Sequence, residues 1–102
     1  MIKFENDSCL IDTAYNIITC DDAFEGRVGK NALDNVLTSV DKRDLEKFQN
    51  AVQECLEGED IYLCYRVISQ AGRIVWVVAQ LESGGVDDTR CIMIHFKNLE
   101  IL

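Results

Sequence analysis

The sequence predicts an α+β domain, a five-stranded antiparallel sheet with short helices and one longer helix packed on one face, in the order ββ-αααα-βββ. Three observations carry this. Residues 61–82, IYLCYRVISQAGRIVWVVAQLE, are two alternating apolar runs rich in Val, Ile and Tyr around a short turn. Residues 41–58 place apolar side chains at helical spacing between a capping aspartate and a glycine. Two short apolar runs precede that helix, and a third follows the hairpin.

Taken in order, residues 9–12 and 17–20 read as two short strands, with Thr13-Ala14-Tyr15-Asn16 between them as a turn. Asp21 and Asp22 stand where an N-cap begins a helical turn carrying Ala23 and Phe24, which Gly26 and Gly29 should break; Phe24 should point inward. In residues 31–39, Ala32, Leu33, Val36 and Leu37 suit one or two short helices. The longer helix starts at Asp41, which can cap the N–H groups of Lys42 to Asp44, with Val40 stapled on Leu45. Leu45, Phe48, Val52, Cys55 and Leu56 form its apolar stripe, and Gly58 supplies a left-handed stop.

The hairpin turn is Gln70-Ala71-Gly72, a type I turn with Gly72 as the left-handed residue of a G1 bulge, so Ser69 should pair with Arg73. Leu63, Tyr65 and Val67 then face Ala79, Val77 and Val75 on one side of the sheet, and Cys64, Arg66 and Ile68 face Val78, Trp76 and Ile74 on the other. Both sides are largely apolar, which predicts a sheet covered twice. Residues 83–88 read as a loop, and residues 90–97 as a last strand with Ile92, Ile94 and Phe96 alternating against Cys91, Met93 and His95.

A chain of 102 residues fits a single domain, 1–102. Ten Lys and Arg against 18 Asp and Glu give a net charge of −8, which argues against nucleic acid or an anionic membrane as partner. Five widely spaced cysteines with no CxxC pair suit reduced thiols, and the start, MIKFENDS, is too polar for a secretory signal; a soluble, cytoplasmic protein is expected. No nucleophile with a base, carboxylate pair or metal set stands out, so no enzyme is expected. His95 is the lone histidine, too little for a metal site; Asp87-Asp88 and Glu57, Glu59 and Asp60 suit solvated loops.

The element order and several residues together resemble the PAS sensor domain. Asp21-Asp22-Ala23-Phe24 followed by Gly29 resembles the family's n-x-a-F…G segment, and Val40-Asp41 stands where its helix entry usually has His-Pro. Tyr65-Arg66-Val67, Gly72 and Val75-Trp76-Val77 resemble its yR…dG…rWv pattern, with Ala71 in place of the common Asp. Phe96-Lys97-Asn98-Leu99-Glu100 is similar to a degenerate D-I-T, where a PAS sheet hands over to a signalling helix.

The resemblance implies a ligand pocket, if there is one, on the helix-facing side, lined by Phe24, Phe48, Val52, Leu63, Tyr65, Val67, Val77, Ile94 and Phe96, with Val75, Ala79, Leu81 and Ile92 on the same face. Of these side chains Tyr65 alone carries a hydrogen-bonding group, so a filled core is the expectation. No cysteine has an Asn-Cys-Arg neighbourhood and the long helix has no histidine, so neither flavin nor haem is expected, and no cofactor. On the outer face Arg66, Ile68, Ile74, Trp76, Val78 and Met93, beside Tyr62 and Cys91, should form one apolar patch, with Arg66 stacked on Trp76. Its cover would be a second copy in a homodimer, with Trp76 as anchor, or residues 1–7 folding back with Ile2 and Phe4. The implied role is a sensory and dimerisation module of a larger bacterial, cytoplasmic signal-transduction protein of histidine kinase or diguanylate cyclase type. It would relay changes in the pocket or interface to a C-terminal output domain. The alternatives are a ligand-free protein–protein interaction module and, third, a small-molecule-binding enzyme.

Overall fold

In the computed structural model, which describes residues 7–27, 35–69, 71–86 and 89–97, the chain begins with β1 (Ser8–Asp12), β2 (Ile17–Cys20) and α1 (Asp22–Arg27). Two 3-10 turns (Val36–Ser39 and Lys42–Asp44) lead into α2 (Leu45–Leu56), then β3 (Ile61–Ile68), β4 (Ile74–Val86) and β5 (Thr89–Lys97). The strands form one antiparallel sheet in the spatial order β2-β1-β5-β4-β3, with β5 in the middle.

The β3–β4 register is as predicted, residue for residue, with Leu63 opposite Ala79, Tyr65 opposite Val77 and Arg66 opposite Trp76. The turn sets it. The Ser69 N–H donates to the Arg73 carbonyl (2.7 Å), the Gly72 N–H donates to the Ser69 carbonyl (2.9 Å), and Gly72 takes φ +79°, the left-handed residue of the bulge. Residues 83–86, expected in a loop, belong to β4 instead: Gly84 lies opposite Cys91, Gly85 opposite Arg90 and Val86 opposite Thr89. Glycine is rare in strands for want of a side chain to pack, but its backbone pairs like any other when a partner strand runs alongside.

Asp41 caps the second 3-10 turn, its carboxylate accepting from the Arg43 N–H at 2.9 Å. The capped helical segment therefore opens as a 3-10 turn and becomes α-helical at Leu45. Asp44, directly before α2, makes no cap with its side chain, because its carboxylate is drawn to Arg66. Along α2, Phe48, Ala51, Val52 and Cys55 are buried, while Leu45 and Leu56 pack at the margin. Gly58, at φ +104°, ends the segment, and the Arg90 guanidinium donates to the Leu56 carbonyl, one of the acceptors a helix C-terminus leaves unpaired. Asp21 caps α1 by accepting from the Phe24 N–H (3.0 Å), and the helix continues through Gly26 to Arg27 rather than breaking there. A glycine within a helix costs about 1 kcal/mol, which does not end a turn already capped.

The helices cover one face of the sheet. Cys9, Ile11, Leu63, Tyr65, Val67, Val77, Ala79, Leu81, Ile92, Ile94 and Phe96 meet Phe24, Val36, Val40, Phe48, Val52 and Cys55 in one core. Val75 was expected on this face as well and is 43% exposed. It sits one residue from the start of β4 at the hairpin end; its partner Val67 is the one bridged by Val40 from the other side. The opposite face has a second, smaller cluster of Leu10, Cys91 and Met93.

Candidate functional site: the aromatic core and the open sheet face

All nine residues predicted to line a pocket are buried in the same core, so the structure brings them together. They come from α1, α2 and strands β3, β4 and β5. Their rings are in mutual contact. Phe24 stacks on Phe96 at 4.6 Å between centroids and 19° between planes; Phe48 tilts against Tyr65 at 5.1 Å, and Tyr65 against Phe96 at 6.4 Å. Offset and tilted ring pairs of this kind add about 0.5–1.5 kcal/mol each beyond the area they bury. Burial pushes the Tyr65 hydroxyl pKa up, so this phenol stays neutral. A groove of about 550 Å³ lies elsewhere, between α2 and β3, lined by Arg43, Glu46, Lys47, Asn50, Ala51, Glu54, Ile61, Tyr62 and Leu63. It shares only Leu63 with the predicted pocket.

On the outer face Arg66 stacks over Trp76 as expected, its guanidinium carbon 4.7 Å from the ring centroid, and Lys47 Nζ approaches the same ring at 5.7 Å. The sequence did not reveal the second bond of Arg66. Its Nε and Nη2 donate to the two Asp44 oxygens at 2.8 Å, and its backbone N–H donates to Asp44 Oδ2, also at 2.8 Å. The Arg66 carbonyl in turn accepts from the Asp41 N–H (2.9 Å). These bonds dock the entry of α2 onto the edge strand β3. The pair is largely shielded, with side-chain exposures of 19% for Arg66 and 4% for Asp44. The Arg66 hydrogen bonds hold the Asp44 carboxyl well below the usual carboxylate range, against the opposing effect of its burial. The nearby Arg43–Asp41 pair (2.8 Å) is more exposed and contributes less.

The predicted patch therefore divides. Ile74 (52% exposed), Trp76 (51%) and Ile68 (39%) lie open together with Tyr62. Val78 is half-buried and Arg66 is engaged by Asp44. Met93 does not belong to the open surface: at 3% exposure it sits on the middle strand, between Leu10 and Glu82 on the neighbouring ladders. Cys91 is closed off likewise. Ile2 and Phe4, the rival cover, lie outside the described residues, as do Asn98-Leu99-Glu100 and Asp87-Asp88. His95 faces away from the core as expected, its Nδ1 2.8 Å from the Ser8 hydroxyl.

Of the cysteines, Cys9, Cys55 and Cys91 are buried, and burial raises their thiol pKa values, that of Cys55 to about 11. Among the described residues no group of three His, Cys, Asp or Glu side chains is placed to hold a metal ion, and no helix is long and apolar enough to cross a membrane.

No protein-family model matches the sequence, and no curated protein matches it. Solved structures do. The fold superposes on the PAS domain of a Desulfitobacterium hafniense protein with a TM-score of 0.74 at 14% identity, over 90% of this chain and 91% of that one. It also superposes on a PAS domain from a two-component sensor histidine kinase with a TM-score of 0.65 at 19% identity, over 88% of this chain and 83% of that one. Likeness at these identities is likeness of fold, and the fold is that of a PAS domain.

Proposed function

We propose that this PAS-fold chain is the sensory and dimerisation module of a larger cytoplasmic, bacterial signal-transduction protein, of histidine kinase or diguanylate cyclase type, and is not itself an enzyme. The observation that supports it most is the unequal covering of the sheet. The face of β3 and β4 leaves Tyr62, Ile68, Ile74 and Trp76 open, whereas Leu10, Cys91 and Met93 on the same side are closed. Apolar side chains left open in this way, with Ile68, Ile74 and Trp76 adjacent at the hairpin end of the sheet, mark a contact surface. A twofold axis would pair two such faces, with Trp76 as the anchoring indole. In that assembly a change in the core reaches the output through β5. Phe96 is held between Phe24 and Tyr65, and the strand ends one residue later at Lys97. A shift of β5 then biases two states of the output domain.

A second reading, a ligand-free protein–protein interaction module, is favoured by the ring contacts that fill the core. Light scattering on the intact protein and on Trp76→Glu tests the shared surface. A dimer that becomes a monomer on substitution is expected; a monomer in both cases sinks the dimer, and a dimer indifferent to the charge moves the interface elsewhere. Thermal-shift screening with metabolites, together with native mass spectrometry for a co-purified compound, separates sensing from ligand-free contact. A raised melting point with one chemical class supports the sensor.

A further inference from the structure

Cys9 and Cys20 stand directly opposite each other across the β1–β2 ladder. The next pair outward, Ser8 and Asp21, carries the ladder hydrogen bond, from the Asp21 N–H to the Ser8 carbonyl at 3.1 Å. Hydrogen-bonded and non-hydrogen-bonded pairs alternate, so Cys9 and Cys20 form a close, non-hydrogen-bonded pair. Such partners have Cα atoms about 4.5 Å apart, within the ~4.4–6.8 Å that a disulfide spans. Both thiols point to the helix-covered side, where Cys9 is fully buried in the core and Cys20 packs against it half-buried on the edge strand. No other two cysteines face each other across the described ladders.

We infer that Cys9 and Cys20 are a dithiol that hydrogen peroxide oxidises to an intrachain disulfide, locking β2 onto β1. Cys20, the more accessible, reacts first: it gives up its thiol proton, the thiolate sulfur attacks hydrogen peroxide, the O–O bond breaks with one oxygen kept on sulfur as sulfenic acid, and the departing hydroxide takes up that proton as water. The Cys9 sulfur then attacks the Cys20 sulfenic sulfur, the S–O bond breaks, and the Cys9 proton leaves with the hydroxyl as a second water. Overall two thiols lose two electrons and two protons, and one hydrogen peroxide is reduced. Burial first, then the Cys20 and Asp21 charges, raise the Cys9 pKa, so this thiol does not react alone and depends on being held against its partner. The site lies next to a junction: Asp21, which follows Cys20, accepts from the N–H groups of Asp7, Ser8 and Phe24, and Phe24 stacks on Phe96 of β5. Combined with the proposed sensory role, the bond would supply an oxidative input, but its formation does not depend on that role.

The test uses the full reduced chain, titrated with hydrogen peroxide, denatured, alkylated and mapped by mass spectrometry. Expected are one linked peptide pair containing Cys9 and Cys20, alkylation of Cys55, Cys64 and Cys91 throughout, reversal by dithiothreitol, and a melting point several degrees above that of the reduced form. In Cys20→Ser, which alters a half-buried position on the edge strand, the other four of the five cysteines should all remain alkylatable. The inference is overturned by over-oxidation of Cys20 with Cys9 still alkylatable, by a disulfide to any other cysteine, or by no rise in melting point. None of these results touches the Trp76→Glu experiment, so the two readings fail separately.

Discussion

Phe48→Ala is expected to destabilise the domain by about 3–5 kcal/mol, the range for truncating a buried aromatic. Phe48 has no exposed surface, lies 5.1 Å from Tyr65 and 6.4 Å from Tyr15, and projects from α2 onto the sheet. Removing its ring leaves a void bounded by β3 and by the helix itself, neither of which can close it without shifting a whole element. Urea unfolding with Gln53→Ala as control measures the difference. Gln53 is exposed on the same helix and its replacement should stay within about ±0.5 kcal/mol. Equal, small losses for both would mean that the α2 stripe does not carry the core.

Asp44→Ala should cost about 2–3 kcal/mol, since it deletes a shielded carboxylate that accepts from two guanidinium nitrogens and one backbone N–H. The same group sets an acid limit. Its folded pKa is depressed, so its contribution is fully present above the unfolded carboxylate value, about pH 4, and is lost as pH falls through the folded value below it. Denaturant midpoints measured from neutral pH downward should therefore decline below about pH 4 in the native chain and decline less steeply in Asp44→Ala. Parallel curves for the two proteins would remove Asp44 as the cause.

The parts of this fold that could be read in the sequence are those set by neighbours in the chain. Gly72 closes a turn whose geometry propagates pair by pair along eight residues of β3, so both faces of the hairpin followed from one residue. The α2 stripe was legible for the same reason, as a local period. What could not be read depends on distant partners. Alternation assigns Met93 and Trp76 to one face, but says nothing about which half of that face is covered. Asp44 reads as a residue of the helix entry until β3 brings Arg66 against it, 22 positions later. The Cys9–Cys20 pair was hidden by an irregularity between Leu10 and Ile11. An even register continued from Ile11 opposite Ile17 would have set Cys9 against Thr19; the extra residue of the bulge moves it to Cys20.

The strand at the centre of the sheet is the last of the five to be synthesised, and this governs how the domain can assemble. β1 pairs with β2 on one side and β5 on the other, the second pairing joining Ser8 to His95. On the ribosome the first hairpin must therefore wait, its inner edge unpaired, until nearly all of the described chain has emerged. β3, β4 and β5 meanwhile follow one another as adjacent hairpins and can zip together from local contacts. The topology thus predicts an order of assembly opposite to that of translation, with the C-terminal three strands as the template to which the N-terminal pair is added.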